Sequence, residues 1–131
     1  MQAPYQLIYL SSLDVETSPG CVAEIVRAAR LKNERLQIKS LIVFDGWRFC
    51  QYLEGNQAVV SGLFERICAD PRHTDVRLLF KSDFTEPGRL ATRNLSYALC
   101  YDHSLDQIES QRGVEAVGKL KGLLPTFDLE P

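Results

Sequence analysis

From Tyr5 to Ser11 apolar side chains occupy both parities of an extended segment: Tyr5, Leu7 and Tyr9 share one face, Ile8 and Leu10 the other. Both faces need cover, so the pattern predicts a central strand. The period then changes. Ser18 and Pro19 form a helix-start signal, and Val22, Ile25, Val26 and Ala29 recur at helical spacing after it, predicting a first helix that ends near Asn33. One further turn aligns Asn33 with Ile25 and Ala29, so its amide falls at the edge of the stripe that faces the core. Two readings fit: an ordinary helix-ending Asn in the left-handed conformation, or a polar group set against the core for a purpose.

Gln37 to Phe44 and Trp47 to Leu53 are two strand patterns separated by Asp45-Gly46, a hairpin signal. A two-residue turn at Asp45-Gly46 pairs Phe44 with Trp47, Ile42 with Phe49, Ser40 with Gln51 and Ile38 with Leu53. The shared face then carries six apolar residues interrupted by Ser40 and Gln51, side by side. A buried amide without partners costs about 1 to 3 kcal/mol, so Gln51 bonds Ser40 and backbone, or bonds something the fold holds there. Asn56 can cap a second helix with the stripe Val60, Leu63, Phe64, Ile67, stopped by Pro71. Val76, Leu78 and Phe80 alternate with Arg77 and Lys81 as a fourth strand. After the Pro87-Gly88 break, Leu95, Tyr97 and Leu99 mark a fifth. Ser104 and Gln107 have capping-box spacing, and Val114, Val117, Leu120, Lys121 and Leu124 form a short tail helix closed by Pro125.

The order strand, helix, strand, strand, helix, strand is the split βαβ arrangement of an α+β ferredoxin-like domain: a five-stranded mixed sheet, two helices on one face and short C-terminal helices on the other. The apolar back of the first strand, Ile8 and Leu10, needs the tail or a partner chain as cover.

Composition narrows the function classes. The 131 residues carry a net charge of -2, which argues against a general electrostatic grip on nucleic acid. Apolar runs such as Leu41 to Phe44 fall far short of the ~20 residues that span a bilayer, and the start shows no secretory pattern. Cys21, Cys50, Cys68 and Cys100 are widely spaced within apolar patterns and predict small buried thiols in a reducing, cytoplasmic setting. No metal-ligand spacing, dinucleotide fingerprint, P-loop or nucleophile elbow is present in the sequence.

Taken together, the polar residues on apolar faces resemble a known family. Tyr9, Asn33, Gln51 within Phe49-x-Gln51-x-Leu53-Glu54-Gly55, and Asp70-Pro71-Arg72-His73 are similar to the motifs of the BLUF family, the flavin-binding blue-light sensors, over about Tyr5 to Asp75. The resemblance implies an FAD whose isoalloxazine lies between the two helices, edge-on to the sheet. Gln51 is then the switch amide, Tyr9 its phenol partner and Asn33 a partner of the ring's polar edge. Ile25, Phe49 and Ile67 are walls, and Arg72 sits on the ribityl and phosphate side. Ala29, Ser40, Ile42, Leu53 and His73 complete the implied cofactor-binding set. It further implies a non-enzymatic photoreceptor with residues 1–102 as the flavin-binding domain and 103–131 as a helical extension. Output passes through protein contacts to an unidentified signalling partner, and the chain is expected to form a homo-oligomer.

Two positions depart from the family. Its second-strand glycine is Ser40, a change that bears on the photocycle more than on the fold. Its fifth-strand W-x-M after an Arg-Phe pair is replaced by Arg93, Asn94 and Leu95 after Arg89-Leu90, so Arg93 must face solvent or pair. Two rival readings follow: a flavin-free interaction module in which Ser40 satisfies Gln51 internally, and a small hydrolase in which Arg72 or Arg30 binds phosphate while Asn33 positions water.

Overall fold

Strand β1 (Tyr5–Leu13) runs through the interior of the sheet, as its two apolar faces require. The chain was analysed as a computed structural model that describes residues 5–83 and 90–130; the Pro87-Gly88 break and Arg89 lie outside the described residues. After β1 come a 3-10 turn (Pro19–Cys21), α1 (Val22–Leu36), β2 (Lys39–Phe44), β3 (Arg48–Gly55), α2 (Gln57–Ala69), β4 (His73–Ser82), β5 (Ser96–Leu99), α3 (Asp106–Glu109), α4 (Val114–Leu123) and β6 (Asp128–Leu129). The sheet order is β4-β1-β3-β2-β5-β6, antiparallel except for the parallel β2–β5 pair. The ferredoxin-like α+β fold is as expected, with a sixth strand added by the chain's last residues.

The two faces of β1 separate the core into layers. Tyr5, Leu7 and Tyr9 pack with Ile38, Leu53, Val60 and Leu63 under α2, while Ile8 and Leu10 join Leu105, Ile108, Ala116, Val117 and Leu120 from α3 and α4. The tail is therefore the cover that the back of β1 needs. Leu120 is fully buried there, so Leu120→Ala is expected to destabilise the fold by about 2 to 5 kcal/mol, read from the denaturant midpoint. A loss well under that range would show that the tail sits outside the cooperative core.

The hairpin differs from its expected register. Asp45 Oδ1 accepts hydrogen bonds from Trp47 N and Arg48 N, and Asp45 N donates to Arg48 O at 3.1 Å, so the central turn residues are Gly46 and Trp47. Gly46 supplies the positive φ (97°) that a first central position of this kind demands. Pairing therefore joins Phe44 to Phe49, Ile42 to Gln51 and Ser40 to Leu53. A slip of two residues leaves the paired side chains of β2 and β3 on their expected faces but separates Ser40 from Gln51. Trp47 leaves that face, is exposed, and stacks with the Arg48 guanidinium.

Other local signals moved as well. Ser18 Oγ accepts from Gly20 N in the 3-10 turn instead of capping α1, and α1 runs past Asn33 to Leu36, with Gln37 taking the left-handed conformation. Asn33 is thus a buried residue of the last helical turn, not the terminator. Asn56 caps α2 as expected, through Ala58 N and Val59 N. A register shift between Ile8 and Tyr9 breaks the alternation of β4, burying Leu79 beside Phe80 and leaving Leu78 partly exposed. Ser104 bonds Asp102 instead of closing a capping box, and α3 has no side-chain cap. Val114 is exposed, and Ala116, Val117 and Leu120 form the buried side of α4. All four cysteines are free. Cys50 and Cys100 are buried, but Cys21 is half-buried and Cys68 exposed.

Candidate functional site

Between α1, α2 and the face of β1, β2 and β3 lies a cleft that opens to solvent, walled mainly by apolar side chains with a few polar groups at its floor. Its floor is Tyr9, Ile42, Phe49 and Gln51 from the sheet; α1 supplies Ile25, Ala29 and Asn33, α2 supplies Ile67, and the segment after α2 supplies Arg72 and His73. Two of the expected residues stand behind it. Leu53 is fully buried with Val60 and Leu63 under α2, and Ser40 is fully buried against Asn33. Leu63 of the α2 stripe and Asp70 of the Asp70-Pro71-Arg72-His73 motif also line the cleft, as do Ala28, Lys32 and Arg66, which the sequence pattern did not mark. The signal for them is helical spacing: Lys32 follows Ile25 and Ala29 by seven and three residues, and Leu63, Arg66, Ile67 and Asp70 recur at three and four.

Tyr9 and Gln51 are directly paired across β1 and β3, and the Tyr9 hydroxyl donates to Gln51 Oε1. Tyr9 is packed against Phe64, ring centroids 5.5 Å apart, and edge-on to His73. Burial drives its phenol well above the usual tyrosine range, so the proton stays on the oxygen. Gln51 is 4% exposed, and no hydrogen bond joins its Nε2 to another described residue, leaving one amide end committed and the other at the cleft.

Asn33, 1% exposed, is held from the opposite side. Its Nδ2 donates to Ser40 Oγ at 2.8 Å and to the Asn94 carbonyl at 2.9 Å. Ser40 therefore satisfies Asn33, not Gln51, which removes the basis on which a flavin-free interior was considered. At the mouth, Arg72 is committed to Asp70 through Nε and Nη2, and that bond holds the Asp70 carboxyl below its usual range. Arg30 lies outside the cleft lining, paired with Glu130 at 2.5 Å. Both arginines named for the hydrolase reading are paired with carboxylates in the folded chain.

His73 Nδ1 lies 2.9 Å from Ser11 Oγ, and burial pushes the imidazole below its ordinary value of 6.5. The folded state thus resists a proton that the unfolded chain accepts, so this contribution is complete above pH 6.5 and is lost as pH falls below it. The denaturation midpoint is expected to drop between about pH 8 and about pH 5, and to drop less in His73→Gln. An equal drop in both proteins would contradict this assignment.

The fold and cleft define a small α+β domain with a phenol–amide pair at the floor of an open cleft. Residues 5–89 match the family model described as "Sensors of blue-light using FAD", and the chain belongs to this BLUF family. The blue light- and temperature-regulated antirepressor BluF of Escherichia coli is 31% identical over 70 residues, 53% of this chain and 17% of that protein. The photoactivated adenylate cyclase subunit beta of Euglena longa is 34% identical over 70 residues, 52% of this chain and 8% of the relative. The chain thus spans less than a fifth of the length of either relative. Among solved structures, dark-state BlrB, a BLUF protein, superposes with a TM-score of 0.75 at 25% identity, covering 92% of this chain and 93% of that one. Klebsiella pneumoniae BlrP1 with FMN and cyclic diGMP gives 0.64 at 31% identity, covering 74% and 25%. Among the described residues, no helix is long and apolar enough to cross a membrane, and no group of side chains is arranged to hold a metal ion.

Proposed function

We propose that this chain is a blue-light photoreceptor that binds FAD in the cleft between α1 and α2 and reports illumination through the Tyr9–Gln51 pair. The observation that carries the reading is the uncommitted Nε2 of Gln51, a nearly buried donor on a wall of Ile25, Phe49 and Ile67. That donor faces the cleft, and a flat heteroaromatic with carbonyl and ring-nitrogen acceptors along one edge answers both the shape and the polarity. Asn33 complements it with an oxygen that has no partner among the described residues. The residues present fit a flavin.

When bound, the isoalloxazine supplies absorption of blue light and strong oxidising power in its excited state. Tyr9 holds its proton on a hydroxyl already directed at Gln51 Oε1. Gln51 presents an acceptor to Tyr9 and a donor to the cleft, so rotation or tautomerisation of one side chain reverses the hydrogen-bond pattern without moving the backbone. A new bond from Gln51 toward the ligand's carbonyl edge would shift its absorption to the red. Phe49 and the apolar residues of α1 and α2 line the space where this exchange takes place.

Residues 1–102 act as the sensing unit and 103–131 as the extension that carries output, by way of β5 and the helices packed behind β1. The chain performs no catalysis of its own. It works in the cytoplasm as a homo-oligomer that contacts a downstream protein, without a membrane or direct nucleic-acid step. Arg93 is exposed and Leu95 buried at the entry to β5, so the departure from the family's W-x-M leaves an apolar anchor there.

The test is the pigment. The purified chain is expected to be yellow and to release FAD on denaturation, identified by chromatography. Recovery of FMN would keep the flavin and correct its form, while a colourless chain that fails to take up added FAD would overturn the proposal.

A further inference from the structure

Ser40 stands where the resemblance places a glycine, and its hydroxyl is fully buried. It accepts from Asn33 Nδ2 at 2.8 Å and donates to the Asn94 carbonyl at 2.9 Å, the same carbonyl that Asn33 Nδ2 reaches at 2.9 Å. A backbone carbonyl only accepts, so the end of Asn33 that faces Asn94 is the nitrogen. The amide oxygen is then turned away from this cluster. The segment entering β5 is tied at two more points, Ser40 N to the Arg93 carbonyl at 3.1 Å and Asn94 Nδ2 to the Ile38 carbonyl at 3.0 Å.

We propose that Ser40 is a positioning residue: it fixes the Asn33 amide with its oxygen toward the cleft, so that the site reads an N–H donor on the ligand and links that ligand edge to Asn94 at the start of β5. This rests on the flavin reading above. The polar edge of an isoalloxazine carries one imide N–H between two carbonyls, and an acceptor on α1 selects the N–H. Without the Ser40 hydroxyl, Asn33 keeps only the shared Asn94 carbonyl, and inverting the amide forfeits one bond instead of two.

The probes are riboflavin and its N3-methyl derivative, titrated by fluorescence quenching into the unaltered chain and into Ser40→Ala. Methylation is expected to weaken binding about tenfold in the unaltered chain and to matter much less in Ser40→Ala. Hydrogen exchange of residues 94–99 is expected to slow on riboflavin binding in the first protein and to change little in the second. A variant that keeps both the discrimination and the protection would overturn the role of Ser40 while leaving the flavin reading intact. A chain that binds neither probe would overturn both. Should Ser40→Ala fail to fold, side-chain amide NMR of the unaltered protein decides. Asn33 Nδ2 protons that stay protected and unshifted on riboflavin binding support the assignment, and protons that leave Asn94 for the ligand overturn it.

Discussion

Gln51→Leu is expected to keep the flavin and lose the light response altogether. Leucine preserves most of the volume between Phe49 and Ile42, so the cleft persists, but it offers neither an acceptor to the Tyr9 hydroxyl nor a donor to the ligand. The red shift seen on illuminating the unaltered protein should vanish. The substitution also strands the Tyr9 hydroxyl in the interior, for which about 1 to 3 kcal/mol of lost stability is expected. A variant that binds flavin and still shifts would remove Gln51 from the mechanism.

Tyr9→Phe is the complementary experiment, with an effect of similar size. The ring contact with Phe64 survives, and only the oxygen bonded to Gln51 is removed. Gln51 then has no group beside it that holds a transferable proton, so the photoresponse should be abolished while flavin affinity changes little. Because burial holds the Tyr9 phenol protonated far above neutrality, the response of the unaltered chain should not titrate through the neutral range. A Phe variant with an intact, reversible response would show that Tyr9 serves packing alone.

How much of this was legible in the sequence depends on which physical signal carried it. The faces of β1 were readable because period-two alternation is unambiguous, and the need for cover behind Ile8 and Leu10 followed directly. The hairpin shows the limit. Parity survived, so Ile42, Phe49 and Gln51 were correctly put on one face. The pairing did not, because the Asp45 carboxylate bonds Trp47 N and Arg48 N and moves the turn one residue along. That single slip made Ser40 look like the partner of Gln51, when the register places it within reach of Asn33. Of the two readings of Asn33, the left-handed terminator fails: Gln37 carries the positive φ although Asn33 is the better former, since a buried amide network holds Asn33 inside the helix. β6 was illegible, because two residues carry no period. It forms where Glu130 N meets the Tyr97 carbonyl and Arg30 pairs with Glu130. On α2, Arg66 was missed although it follows Leu63 at helical spacing, because its charge sets it apart from the apolar stripe that marks the buried face.

The central claim is that a flavin ring lies against the free end of Gln51. Its most direct test is the absorbance spectrum of the purified, FAD-loaded chain in the dark, under blue light, and after return to darkness. A small red shift that appears on illumination and decays fully in the dark is the predicted result. A spectrum identical in light and dark, from a chain with FAD bound, would contradict it.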